Sequence, residues 1–99
     1  MNEHSHKSVA EVFEDFVISQ SAKDLSHITI ANYRHHFHSI SRHLVIDQLL
    51  DALTSSKLKA MVVLMQAFGL AYNSISSYCR ILRTFLGWCQ HEGMTLKDL

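Results

Sequence analysis

Asn73-Ser74-Ile75-Ser76-Ser77-Tyr78-Cys79-Arg80-Ile81-Leu82-Arg83-Thr84-Phe85-Leu86-Gly87-Trp88-Cys89 carries one unbroken apolar periodicity of three and four residues. At about 100° per residue this is a helix with two unlike faces. Ile75, Tyr78, Cys79, Leu82, Phe85, Leu86 and Cys89 share the inward side, while Ser76, Arg80, Arg83 and Gly87 line up outward. Asn73 or Ser74 is the expected cap, and the helix should run to about His91 and stop at Gly93. The same period recurs upstream. Ser8-Val9-Ala10-Glu11 is a capping box, followed by the stripe Val9, Val12, Phe13, Phe16 and Val17, which sets a first helix to about Ser21. Ser26 caps a second, to about Arg42 or His43, with Ile30, Tyr33, Phe37, Ile40 and Leu44 inward. Thr54 or Ser55 caps a third, rich in Leu58, Met61, Val62, Leu64, Met65 and Phe68, which Gly69 ends. Residues 45–53 are apolar and leave a short helical turn open.

With no proline and only three glycines, the expected class is all-α, four principal helices in a compact bundle. The expected core comprises Phe13, Phe16, Tyr33, Phe37, Leu58, Leu64, Ile75, Leu82 and Phe85. Ninety-nine residues hold one domain, assigned to 8–99, behind a flexible tail at 1–7. No apolar run approaches the ~20 residues of a membrane span, and the polar start Met1-Asn2-Glu3-His4 lacks a signal-peptide stretch. A cytoplasmic chain with no membrane partner is the expectation. Cys79 and Cys89 lie ~15 Å apart along one helix, beyond disulfide reach, and both read as reduced, buried packing residues.

The net charge is zero, with nine acidic and nine basic residues, yet the two signs are segregated. The acids sit at Glu3, Glu11, Glu14, Asp15, Asp24, Asp47, Asp51, Glu92 and Asp98. Two long stretches are therefore acid-free. Leu25–Ile46 carries Arg34 and Arg42 with five histidines, and Ala52–His91 carries Lys57, Lys59, Arg80 and Arg83. On the second helix Arg34, His35, His38 and Arg42 fall opposite the apolar stripe, as Arg80 and Arg83 do on the fourth. A fold that joins these ridges would be bipolar, with one cationic face suited to phosphates. Ser76 can donate to a phosphate, and the missing side chain at Gly87 would admit a sugar-phosphate backbone. Ordinary solvation of these arginines is the competing reading.

His35-His36-Phe37-His38 suggests a metal site, but His36 points about 100° from His35 and the cysteines belong to another helix's inward stripe. No metal or cofactor is expected, and these histidines read as solvent-facing groups. Glu11, Glu14 and Asp15 lie on an exposed helix face, and no glycine-rich phosphate loop, nucleophile elbow or Cys-x-x-Cys is present. Nothing in the sequence assembles a catalytic site.

Four segments in order resemble the N-terminal core-binding, SAM-like domain of tyrosine recombinases and phage integrases, over about residues 8–96. Val9–Phe16 resembles that family's first helix, and Leu25-Ser26-His27-Ile28-Thr29-Ile30-Ala31-Asn32-Tyr33 its L-S-x-x-T-x-x-N-Y start of the second. Leu53-Thr54-Ser55-Ser56-Lys57-Leu58 is similar to the L-T-x-x-D/Q-I start of the third, and Asn73–Cys89 with Glu92-Gly93 to the fourth. The chain departs at Ser76 and Ser77, where asparagine and arginine are common, at Lys57, where an acid or glutamine is usual, and at Met94–Leu99, where Asn-Pro often follows. The resemblance implies an orthogonal SAM-like bundle forming one jaw of a clamp on double-stranded DNA, with the second and fourth helices facing a recombination half-site. It implies further protomers on the DNA and a separate C-terminal catalytic domain that supplies the chemistry. Tyr33, Tyr72 and Tyr78 fall within the binding-domain pattern, and no His-x-x-Arg occurs.

The DNA-binding set is thus Arg34, His38, Arg42, Lys57, Lys59, Ser76, Arg80, Arg83 and Gly87, with no catalytic residue. The alternative is a helical protein–protein interaction module, for which Val62, Met65, Leu70 and Trp88 would form the exposed apolar patch.

Overall fold

A computed structural model describes residues 7–23 and 26–94. Among them are four α-helices: α1 (Val9–Ser21), α2 (His27–Ile40), α3 (Ser55–Ala67) and α4 (Tyr72–His91), with a 3-10 turn at Leu50–Ala52. The all-α class expected from periodicity is what forms. Among the described residues the one β-like feature is an antiparallel bridge between Ser8 and Leu49.

That bridge has a structural job. A helix begins with unpaired backbone N–H groups, and at α1 every one of them finds an acceptor. Val9 N donates to Gln48 O at 2.9 Å and Ala10 N to Ile46 O at 3.0 Å. Glu11 N donates to Ser8 Oγ at 3.2 Å, and Val12 N to Ser8 O at 3.0 Å. Ser8 N in turn donates to Glu11 Oε1 at 3.0 Å, completing the capping box. Bonds from the Ser8 backbone and hydroxyl hold the Glu11 carboxyl below its ordinary range. The 46–50 connection is thereby tied across the start of α1. Lys7, assigned to a tail, is part of this tie: its carbonyl accepts from Leu50 N, and its ammonium meets Asp15 at 3.1 Å. The rest of the expected tail lies outside the described residues.

Ser26 and Thr54 cap α2 and α3 through Thr29 N and Lys57 N. Two corrections concern helix ends. α2 stops at Ile40, short of Arg42, because the chain tightens into bonds spanning three residues, Arg42 N to Ser39 O and His43 N to Ile40 O. α4 starts at Tyr72 with Ala71 in the cap position and no side-chain cap, so neither Asn73 nor Ser74 serves. Ile75 N already bonds to Ala71 O at 3.1 Å, which puts Asn73 and Ser74 inside the first turn. Gly69 (φ 79°) and Gly93 (φ 81°) both end their helices in the left-handed region. Each carries a paired closure, Leu70 N to Met65 O with Gly69 N to Gln66 O, and Met94 N to Cys89 O with Gly93 N to Gln90 O. The second closure folds Met94 into the core, a buried residue that periodicity did not flag.

Phe13 of α1 stacks on Phe37 of α2 with centroids 3.9 Å apart and meets Phe85 of α4 edge-on at 5.3 Å. Phe16 adds edge contacts to Phe85 and Trp88, both at 5.6 Å, and lies 5.6 Å from Tyr33. Aromatic rings therefore lock α1, α2 and α4 together. No ring of α3 joins them; α3 enters the core through Met61 and Met65. Of the expected core, Phe13, Phe16, Phe37, Ile75, Leu82 and Phe85 are buried, and Tyr33 and Leu58 pack partly buried against it. Leu64 is 45% exposed. It falls about 100° from Met65, and α3 is apolar nearly all round, so its sequence could not choose a face. The same ambiguity misplaced the apolar patch: Met65 is fully buried and Val62, Leu70 and Trp88 are half-buried, whereas Val63, Leu64, Phe68 and Tyr72 are exposed.

Phe85→Ala should cost about 3–5 kcal/mol of unfolding free energy as a core truncation, whereas Leu64→Ala should stay below about 1 kcal/mol. Urea denaturation of both variants checks the assignment of the α3 face.

Candidate nucleic-acid interface

The expected binding residues separate into three groups. In the first, Arg34 Nη1 donates to Glu14 Oε1 of α1 at 2.6 Å, and Arg34 and His38 line a small cleft with Phe13, Glu14 and Ser41. Arg42 is exposed in the turn beyond. On the opposite flank of α2, His36 meets the Tyr78 ring of α4 at 5.5 Å. The Arg34–His38 flank thus turns toward α1, and its arginine already has an acidic partner. The second group is Lys57 alone, whose ammonium donates to Gln48 Oε1 at 2.7 Å and Ala52 O at 2.8 Å. That side chain ties α3 to the connection before it.

The third group is the outer face of α4 with its neighbour on α3. Arg80 and Arg83 are exposed, Ser76 is half-buried one turn earlier, and Gly87 follows one turn later. The Thr84 hydroxyl bonds back to Arg80 O at 3.0 Å and so is spent on the helix's own backbone. No acid occurs between Asp51 and Glu92 in the sequence, and among the described residues neither arginine has an ion-pair partner. Lys59, Arg83 and Gly87 all border one groove between α3 and α4, about 450 Å³ in volume, whose apolar side is the buried Met61 and Leu82 with the half-buried Leu58, Val62, Cys79 and Leu86. Periodicity marks the arginines and the glycine but not this groove, because on a helical wheel residues 79, 82 and 86 fall wholly on the inward side.

A Cβ added at Gly87 would meet nothing within 4 Å. Internal packing does not require glycine there, although a helical glycine costs ~1 kcal/mol relative to alanine.

Two histidines correct the picture of solvent-facing groups. His36 and His43 are half-buried, each with a buried Nδ1 that has no hydrogen-bond partner, and His43 packs on Phe68, just past the end of α3, at 5.3 Å. Burial, with a smaller contribution from neighbouring His35, holds His36 below its ordinary value of 6.5. Among the described residues no three His, Cys, Asp or Glu side chains converge on a metal-sized site. Both cysteines are free, Cys79 half-buried and Cys89 buried with its thiol pushed up to about 12 by desolvation. No described helix is long and apolar enough to cross a membrane.

Compared with protein families, curated proteins and solved structures, the chain matches none.

Two outcomes test this geometry. Because folding lowers the affinity of His36 for a proton, its contribution to stability is complete above pH 6.5 and is lost as pH falls and the unfolded chain takes up the proton. His36→Gln should therefore shrink the stability difference between pH 7.5 and 5.5 in urea melts; an unchanged difference would place the ring in solvent. Iodoacetamide should alkylate Cys79 in the native protein while Cys89, buried and held as the thiol, reacts only on unfolding. Peptide mapping by mass spectrometry reads this directly.

Proposed function

We propose that this chain is the DNA-binding arm of a site-specific tyrosine recombinase of the phage-integrase type, a SAM-like jaw that grips a recombination half-site while a separate domain performs the strand chemistry. The observation that carries the reading is the outer face of α4, where Arg80 and Arg83 have no acidic partner among the described residues and stand beside a glycine with open space above it. Arginine forks suit phosphates or guanine edges, and a bare backbone position lets a sugar-phosphate chain come close. The ordered likeness of four segments to the recombinase arm supports the same face. In this reading the arm has no catalytic residue, needs no metal or cofactor, and acts on the DNA beside further protomers.

In this reading the residues do not share the grip equally. Arg80, Arg83, Ser76 and Gly87, with Lys59 across the groove, form the principal surface. Arg34 must leave Glu14 before it can reach a phosphate, an exchange that costs little because an exposed ion pair is worth only about 0–1 kcal/mol. His38 and Arg42 lie near it and contribute secondarily, and Lys57 acts mainly by holding its own connection in place.

A second reading, a protein-interaction module, draws on the exposed Val63, Leu64, Phe68 and Tyr72. Salt separates the two. Four to six phosphate contacts give a log–log salt slope of roughly −4 to −5 on a short duplex, and Arg80→Ala or Arg83→Ala should each lower it by about one unit. If either arginine reads a guanine edge instead, its alanine variant loses about 1–3 kcal/mol on the cognate sequence and little on a scrambled one. Gly87→Ala should raise thermal stability by about 0.5–1 kcal/mol while weakening duplex binding. Unchanged duplex affinity in that variant would remove Gly87 from the interface.

A further inference from the structure

Phosphate recognition leaves one feature of the α3–α4 surface unused. A sugar-phosphate backbone is bound by the cations at the rim, yet the groove beneath them is apolar, with Leu58 and Val62 from α3 and Cys79, Leu82 and Leu86 from α4. An occupant that fits both parts must bring apolar side chains for the groove and negative charge for Lys59 and Arg83, which border it from opposite helices. The α4 residues that line it run from Cys79 to Gln90, about three helical turns or ~16 Å. That is the length of an apolar stripe on a short amphipathic helix. Gly87, at this border with nothing within 4 Å of its would-be Cβ, lets a second backbone approach α4 closely. No acidic side chain occurs between Asp51 and Glu92 to repel such a ligand.

We infer that the α3–α4 groove is a docking site for an amphipathic helix whose leucine-type stripe is flanked by glutamates or aspartates. Its charge match is with Lys59 on one wall and Arg83 on the other. Resting on the reading of α4 as the DNA face, occupancy would also exclude DNA, because Arg83 and Gly87 belong to both surfaces. The arm would then be switched off by an acidic helical segment of a partner protein that takes the place of the phosphates.

Cys79 supplies the reporter, since it lines the groove and is half-buried while Cys89 is buried. The probe is a synthetic helical peptide with leucines at i, i+4, i+7 and i+11 and glutamates on both flanks. Its control keeps the leucines and replaces every glutamate with lysine. Without DNA present, the glutamate peptide at about ten times its Kd should slow iodoacetamide alkylation of Cys79 about tenfold, and the lysine peptide should not. In the double variant Lys59→Glu, Arg83→Glu the preference should reverse, each rate being compared with that variant's own rate without peptide. Protection by neither peptide, or equal protection by both, overturns the inference. A separate titration asks whether the glutamate peptide displaces a bound duplex. If it protects Cys79 but leaves the duplex bound, the docking site stands and the DNA-facing reading of α4 falls.

Discussion

The stacking of Phe13 on Phe37, with Phe85 set edge-on against Phe13, is the contact from which the rest of the structure follows. It joins three helices at one point, and Phe16 extends the same ring cluster toward Tyr33 and Trp88. Aromatic pairs contribute geometry as well as buried area, so the orientation of α4 about its own axis is fixed by where Phe85 must point. Arg80 and Arg83 are carried outward as a consequence. α3 lies outside this cluster and is seated by two methionines, which adapt to irregular space rather than impose a single fit. The groove beside α4 remains open because nothing aromatic closes it.

Charge is arranged around the same frame. A neutral chain can present a cationic surface only if its acids are gathered elsewhere, and α1 collects Glu11, Glu14 and Asp15. The aromatic lock brings α1 against α2, which places Glu14 beside Arg34. One of the two cationic ridges is thereby partly neutralised from within. The ridge on α4 escapes because its neighbour α3 has no acid. Packing and electrostatics therefore agree on a single face, although the sequence offers two.

Much of the fold was legible because each signal had one physical meaning. The capping box at Ser8, the caps at Ser26 and Thr54 and the stop glycines at 69 and 93 all act locally, and the α4 stripe has only one apolar side. α3 was not legible in the same way: with apolar residues nearly all round, its periodicity does not distinguish Leu64 from Met65, and only the cluster on the other helices decides between them. The start of α4 is not legible in the sequence, because Asn73 and Ser74 are both good caps and yet the helix begins ahead of them, with Ile75 N bonded to Ala71 O. Among the candidate binding residues, exposure of Arg80, Arg83 and Gly87 followed from the helix period, whereas the partners of Arg34 and Lys57 depend on residues 20 and 9 positions away. Such pairings are set by tertiary contacts, to which a helical wheel is blind.

The central claim is that DNA meets this chain on the outer face of α4. Titrating 15N-labelled protein with a short duplex at low salt, and following backbone amide shifts, addresses it residue by residue. The account predicts that the largest changes fall on Ser76, Arg80, Arg83, Thr84 and Gly87, with smaller ones at Lys59. Changes confined to α1 or to the Phe68–Tyr72 surface, or no change at a duplex concentration that saturates binding, would contradict it.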